Sequence, residues 1–411
     1  MSDSRLEVAD IFRDYGELYR RSWPVTPQQR AAMRAIELCR TPILGGHLLR
    51  CDACESDLCV YNSCGNRHCP KCQNLNKEQW IEARARELLP VPYFHAVFTL
   101  PHDLHTLARA NQRWCYTTLF QSSHKTLLTL AADPEHLGAR IGGTSILHTW
   151  SSRGTYHPHS HCIVQGAGPA VEGDRWVAAD AEFFVHVNIL SSFFTKTFIR
   201  SLDRAYRQSQ LQLDGPLEDL RHPVCFQAFL DRLGAKNWIV FAKEPFSGPE
   251  TVVKYLARYT HRVAIANERL LRMENDDVVF RYKDYQRGGQ WRTEKIHATE
   301  FIRRFLLHVL PYRFVRIRYF GLLGNRYKNQ NLERCRAMLQ VEPPPAPPEG
   351  ESFAERCLRL TGKDPTLCPV CGHGRLILRA TVQRPRFADL LARAPCPRES
   401  AWAPLSRGPP G

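Results

Sequence analysis

The stretch Tyr156-His157-Pro158-His159-Ser160-His161-Cys162-Ile163-Val164 constrains the fold of this 411-residue chain more than any other. Histidines occupy every second position, and a β-strand, with its period of two, turns all three toward one side. Cys162, Ile163 and Val164 continue the run as apolar, partly β-branched residues, so the strand enters a core and carries His159 and His161 on a rigid support. Such a His-x-His pair presents two fixed nitrogens to a divalent cation and leaves other coordination positions for substrate oxygens. A third ligand is expected, with His157, His148 and His95 as strand candidates and Glu250 as a helical one. Taken alone, the stretch is equally compatible with a histidine-rich turn that binds nothing.

A second constellation begins at Ser247-Gly248-Pro249-Glu250, which reads as a helix start with proline and an acid in the first turn. Tyr255 and Tyr259 then fall at i and i+4 on one helical face, beside an apolar stripe of Val252 and Leu256. A phenol is a poor nucleophile at its free pKa near 10, but beside a metal that polarises a phosphate it can attack phosphorus and form a covalent ester. Lys254, Arg258 and Arg262 surround the pair and suit a phosphate backbone. An amphipathic helix with two packed tyrosines explains the same pattern without chemistry.

The cysteines carry the most specific local spacing. Cys51-x-x-Cys54 and Cys69-x-x-Cys72 are separated as in a zinc ribbon or knuckle, each pair offering two thiolates to one tetrahedral ion. Cys59, Cys64 and His68 lie between them and can replace a ligand or serve a second ion. Cys368-x-x-Cys371 with His373 reads as half of another zinc site, with Cys357 or Cys396 as completing ligands. Fifteen cysteines in a chain whose polar start lacks a signal-peptide core favour metal thiolates over disulfides. No apolar run reaches the roughly 20 residues a bilayer demands, so a cytoplasmic protein with no membrane partner is expected. Fifty-six Lys and Arg against 41 Asp and Glu leave a formal charge of +15, a balance that suits a polyanion, and nucleic acid first.

Periodicity predicts helices over residues 8–40, 75–89, 104–131, 191–211, 223–233 and 298–310, with strands at 93–100, 144–150, 183–190 and 238–243. A hairpin of 278–283 and 291–296 turns at Gly288-Gly289. Tyr312 to Phe320 alternates arginines with apolar residues, a strand face suited to phosphates and bases or to plain solvent. His102, His105, His124 and His136 are read as ordinary core or surface residues. Strands and helices without regular alternation suit an α+β fold, an antiparallel sheet with helices packed on it. The expected division is a helical, zinc-binding and DNA-binding domain at 1–90 and a catalytic domain at 91–340. A proline-rich linker and a partly disordered CxxC tail follow at 341–411.

His159-Ser160-His161, followed by Tyr255-Leu256-Ala257-Arg258-Tyr259-Thr260-His261-Arg262, resembles the two-tyrosine HUH single-strand endonucleases, specifically rolling-circle transposases of the insertion sequence 91 family. Further blocks carry the likeness over most of the chain: Cys39-Arg40-Thr41, Asn62 to Cys72, Phe94 to Pro101, Leu147 to Trp150 and His308 to Pro311. Ser160 departs from the hydrophobic residue usual between the histidines. The resemblance implies an HUH core whose sheet holds the metal histidines at its centre beside the tyrosine helix. It implies a DNA transposase with Tyr255 and Tyr259 as nucleophiles, Mg²⁺ or Mn²⁺ on His159 and His161, and structural Zn²⁺ on the cysteines. Expected partners are single-stranded DNA at element ends and target and, because no GxxxxGK[ST] loop is present, a host helicase or replication machinery. A replication initiator or relaxase with the same site, and a non-catalytic zinc protein that binds DNA, are the alternatives.

Overall fold

A computed structural model describes residues 6–72, 74–179, 185–243, 246, 251, 252, 255 and 264–385. The first elements in chain order are α1 (Val8–Ser22), α2 (Pro27–Leu38), β1 (Gly46–Cys51), β2 (Asp57–Tyr61) and α3 (Asn74–Ala85). Next come β3 (Tyr93–Thr99), α4 (His105–Ala110), α5 (Gln112–Ala132), β4 (Gly142–Trp150), β5 (Tyr156–Gln165), β6 (Ala167–Pro169) and β7 (Trp176–Ala178). Then follow α6 (Val187–Arg207), α7 (Pro223–Gly234), β8 (Val240–Lys243), β9 (Leu270–Glu274), β10 (Asp277–Asp284) and β11 (Gln290–His297). The last are α8 (Ala298–Leu306), β12 (Ile317–Gly321), α9 (Lys328–Leu339), α10 (Phe353–Thr361) and β13 (Leu376–Val382). The fold is α+β with antiparallel sheets, as its element order predicts.

The chain divides into two units, Met1–Glu37 with Gly65–Lys363, and Leu38–Cys64 with Asp364–Gly411. In the first unit a five-stranded sheet runs β12-β4-β5-β3-β8, every neighbouring pair antiparallel. The histidine strand β5 is its middle strand. Alternation gives β5 two faces: Cys162 and Val164 point with Ala96, Phe98 and Leu147 into a core shared with Phe120, Phe194 and Phe198. On the other side Ile163 and Ile146 pack with Tyr93 and Val252. The same side carries His159 and His161, four and two residues before Ile163. Ser160, fully buried on the first face, sets its hydroxyl 3.6 Å from Cys162 Sγ, so the departure from the family pattern is absorbed in the core.

Three anchors hold the loop between β4 and β5. Arg153 forms a bidentate pair with Glu294 of β11 at 2.9 and 3.0 Å, Arg269 donates to Ser152 O, and His308 Nε2 donates to Gly154 O at 2.9 Å. Gly154 itself adopts φ +72°, the left-handed region that glycine enters freely. The β10–β11 hairpin turns at Gly288 and Gly289, both with positive φ, as predicted.

Two expectations change. The run 183–190 is not a strand where it is described: Val187 opens α6, capped by His186 Nδ1, which accepts from Asn188 N–H at 3.3 Å. Leu190, Phe194, Phe198 and Leu202 recur every four residues and bury one helical face, which outweighs the β-propensity of the run. The arginine alternation at 312–320 does not form one strand face. Arg313 sits in a turn with φ +55°, Arg316 is half-buried, and Arg318 lies over the rings of Phe120 and Phe314 at 4.7 and 5.2 Å.

Side-chain contacts hold helices from both ends of the chain to the large unit. α1 packs on α8, with Phe12 and Phe305 rings 5.2 Å apart edge to face, so the first helix belongs with the large unit. Beyond the prolines, α10 stays in that unit too, Arg359 pairing with Glu82 of α3 and with Glu351. The final Pro- and Arg-rich stretch, 386–411, lies outside the described residues. In the second unit β13, β1 and β2 form a three-stranded antiparallel sheet in that order, joining the CxxC segment near the C-terminus to the first cysteine pair.

Candidate active site

The β4–β5 register places His148 opposite His159, and ring nitrogens of His148, His159 and His161 converge within 4.8 Å of one another, all three side chains buried. The backbone carbonyl of His157 lies 2.7 Å from His159 Nδ1 and so takes its N–H, leaving Nε2 with a lone pair. His161 Nδ1 is engaged by His95 Nε2 at 2.9 Å, which likewise turns Nε2 inward. The two Nε2 atoms stand 3.1 Å apart. An ion with bonds of 2.0–2.1 Å separates neighbouring ligands by about 3.0 Å, so the pair fits one divalent cation. Burial, with His157 beside it, holds the His159 imidazole down to about 4, so it is neutral and a competent donor at neutral pH.

Of the candidates for a third ligand, the structure brings His148 into the set. His95 is near but serves differently: its ring stacks on His161 at 5.2 Å and bridges to Tyr255, whose hydroxyl lies 3.0 Å from both His95 ring nitrogens. Its signal was a lone histidine inside the apolar run Phe94 to Leu100. Glu250, Tyr259, Lys254, Arg258 and Arg262 lie outside the described residues. Tyr255 is half-buried, packs on Phe246 at 5.1 Å and follows the fully buried Val252 by three residues.

The cysteine pairing expected from spacing changes. Cys51 and Cys54 are joined not by Cys69 and Cys72 but by Cys368 and Cys371, with all four sulfurs within 4.8 Å of one another. Cys357 and His373 are not members of that set, and Cys396 lies outside the described residues. The reason is topological: β1 pairs with β13, Cys51 opposite Leu376, so the two turns meet at one end of the sheet. Cys39 and Cys64 approach each other within the second unit, and Cys69 and Cys72 within the first, where a tight turn runs from Cys69 O to Cys72 N at 3.3 Å.

These features define an α+β protein with three histidines at the centre of an antiparallel sheet, placed so that they could hold a metal ion, and with clustered cysteines. Two family models match it, "Putative transposase" over residues 142–331 and "Transposase zinc-binding domain" over residues 11–100. The chain is similar to "Putative transposase y4qJ" of Sinorhizobium fredii, 46% identical over 92% of this chain and 96% of the relative. It is 28% identical to "Transposase for insertion sequence element IS801" of Pseudomonas savastanoi pv. phaseolicola, over 84% of this chain and 82% of that one. No solved structure matches it. The chain belongs to the insertion sequence 91 family of transposases, with an N-terminal zinc-binding domain. Structural zinc is supported by that domain and by the cysteine clusters. No described helix is long and apolar enough to cross a membrane.

Proposed function

We propose that this chain nicks and rejoins single-stranded DNA by tyrosine transesterification, through a 5′-phosphotyrosine intermediate, in rolling-circle transposition. The observation that carries the reading is the continuous chain of contacts from Tyr255 Oη through His95 to His161 and the three-histidine cluster. Mg²⁺ or Mn²⁺ on His148, His159 and His161 would draw charge from a scissile phosphate and stabilise its transition state.

The remaining work falls to the chain itself. His95 fixes the phenol oxygen beside the cluster, so the nucleophile is already oriented before DNA arrives. As the Tyr255 Oη–P bond forms, the P–O3′ bond breaks, the phenol gives up its proton and the leaving 3′-oxygen takes one up. The phosphoester count is unchanged, so rejoining needs no nucleotide. Tyr259, four residues on, serves a second strand while the first end is held, and Lys254, Arg258 and Arg262 grip the backbone. With no phosphate loop in the sequence, strand separation comes from a host helicase or replication.

The test is a cleavage assay on single strands bearing the element ends, with Mn²⁺ or EDTA, comparing the parent with Tyr255→Phe, Tyr259→Phe and the double variant on denaturing gels. A metal-dependent covalent adduct, abolished in the double variant, is expected. Absence of any adduct from protein that still binds the DNA overturns the nuclease reading in favour of a non-catalytic DNA-binding protein.

A further inference from the structure

We infer that Cys51, Cys54, Cys368 and Cys371 hold one Zn²⁺, and that this ion makes the segment 364–382 an integral part of the zinc-binding module. The family model of that module ends at residue 100, so half of the ligand set lies beyond it, more than 300 residues downstream of Cys54.

Distances come first. A tetrahedral zinc thiolate with bonds near 2.3 Å has sulfur–sulfur edges of about 3.8 Å. Cys51 Sγ lies 3.7 Å from Cys371 Sγ, and Cys54 Sγ lies 3.8 Å from Cys368 Sγ. A disulfide would need about 2.05 Å. The close pairs cross from one turn to the other, as they do when two hairpin knuckles share an ion.

The backbone agrees. Ala53 and Cys54 amides point at Cys51 Sγ at 3.4 and 3.5 Å, the Val370 amide at Cys368 Sγ at 3.4 Å, and the Gly374 amide at Cys371 Sγ at 3.3 Å. Amide donors of this kind stabilise thiolate charge on a ligand. In both turns the residue after the second cysteine has positive φ, Glu55 at 55° and Gly372 at 76°. The turns are also tied directly: Asp52 N–H donates to Arg375 O at 3.0 Å, and Arg375 N–H to Asp52 Oδ1 at 2.7 Å. A Cβ on Gly374 would collide with Cys51 Sγ and come 2.7 Å from Ala53 Cβ, so only glycine lets the turns approach.

Zinc content of the full chain tests this independently of DNA cleavage. Cys51→Ser with Cys54→Ser, and Cys368→Ser with Cys371→Ser, are each expected to lose one Zn²⁺ equivalent relative to the parent, and the quadruple variant no more than one. Loss of zinc from the first double variant with full retention in the second overturns the shared site. The parent alone gives a second readout that requires no variant to fold. Peptide-mapped alkylation with and without a chelator should show all four thiols becoming reactive together, while amide exchange rises in β13 and stays low in β5. Protection of Cys368 and Cys371 that ignores the chelator, or their reactivity while Cys51 and Cys54 stay protected, overturns the proposal.

Discussion

With His148 beside His159 and His161, the proposed ion would have three imidazole ligands, and the choice of ion follows from that. Imidazole nitrogen suits later divalent metals, whereas Mg²⁺ favours oxygen donors. Cleavage at limiting metal is therefore expected to run faster in Mn²⁺ than in Mg²⁺. His148→Ala should weaken Mn²⁺ binding by at least about 100-fold, the upper range for losing a mere supporting contact. A Mn²⁺ titration followed by electron paramagnetic resonance decides, and unchanged affinity removes His148 from the set. His308 gives a separate prediction. Fully buried, it accepts from the Thr149 hydroxyl at Nδ1 and donates to Gly154 O, and burial holds its pKa down to about 4. Between pH 6.5 and 4 the unfolded chain binds a proton there that the folded chain does not, so stability falls as pH falls. That single group accounts for roughly 3 kcal/mol across the window. His308→Gln, which keeps a donor and an acceptor, should flatten the dependence of melting temperature on pH relative to the parent; an identical profile refutes it. Residue identities at the histidine site were legible because i and i+2 on a strand must share a face. The roles of His148, His95 and Glu250 were not distinguishable, since which neighbour strand pairs with β5, and in what register, is a tertiary fact.

Helices and strands were legible where periodicity and burial agree. The hairpin of β10 and β11 shows it, with glycines at its turn and alternating residues on its strands. They were misread where local propensity and tertiary packing disagree, as at the start of α6. The second unit's sheet escaped notice because β2 exposes most of its residues and β13 nearly all of them, so neither has an apolar alternation to read. Only pairing with β1 reveals them as strands. The packing of α1 on α8 carries its own test. Phe305 is buried against Phe12, and Phe301 and Ile302 fill the same helical face. Phe305→Ala should cost about 3–5 kcal/mol in urea unfolding, with amide protection falling in both helices. A loss confined to α8 would mean that α1 is held by other contacts.

Across the whole chain the governing quantity is charge. A formal +15 favours a polyanion at long range, but charge alone says nothing about where the phosphates lie. Many of the cations are already engaged: Arg304 with Glu294 and Glu300, Arg303 with Glu300, Arg20 with Glu37 and Glu17. Such pairs stay in place unless DNA displaces them and add little to counterion release. Lys254, Arg258 and Arg262, which lie outside the described residues, flank Tyr255 in sequence, and contacts there would set the register of the strand against the nucleophile. Each phosphate neutralised on single-stranded DNA contributes about −0.7 to the slope of log affinity against log salt. Replacing all three by alanine is therefore expected to make that slope shallower by about 2, while weakening binding at low salt far more than at high salt. Fluorescence anisotropy of a labelled single strand across a salt series measures both. A slope equal to the parent's would place the phosphate path elsewhere on the molecule.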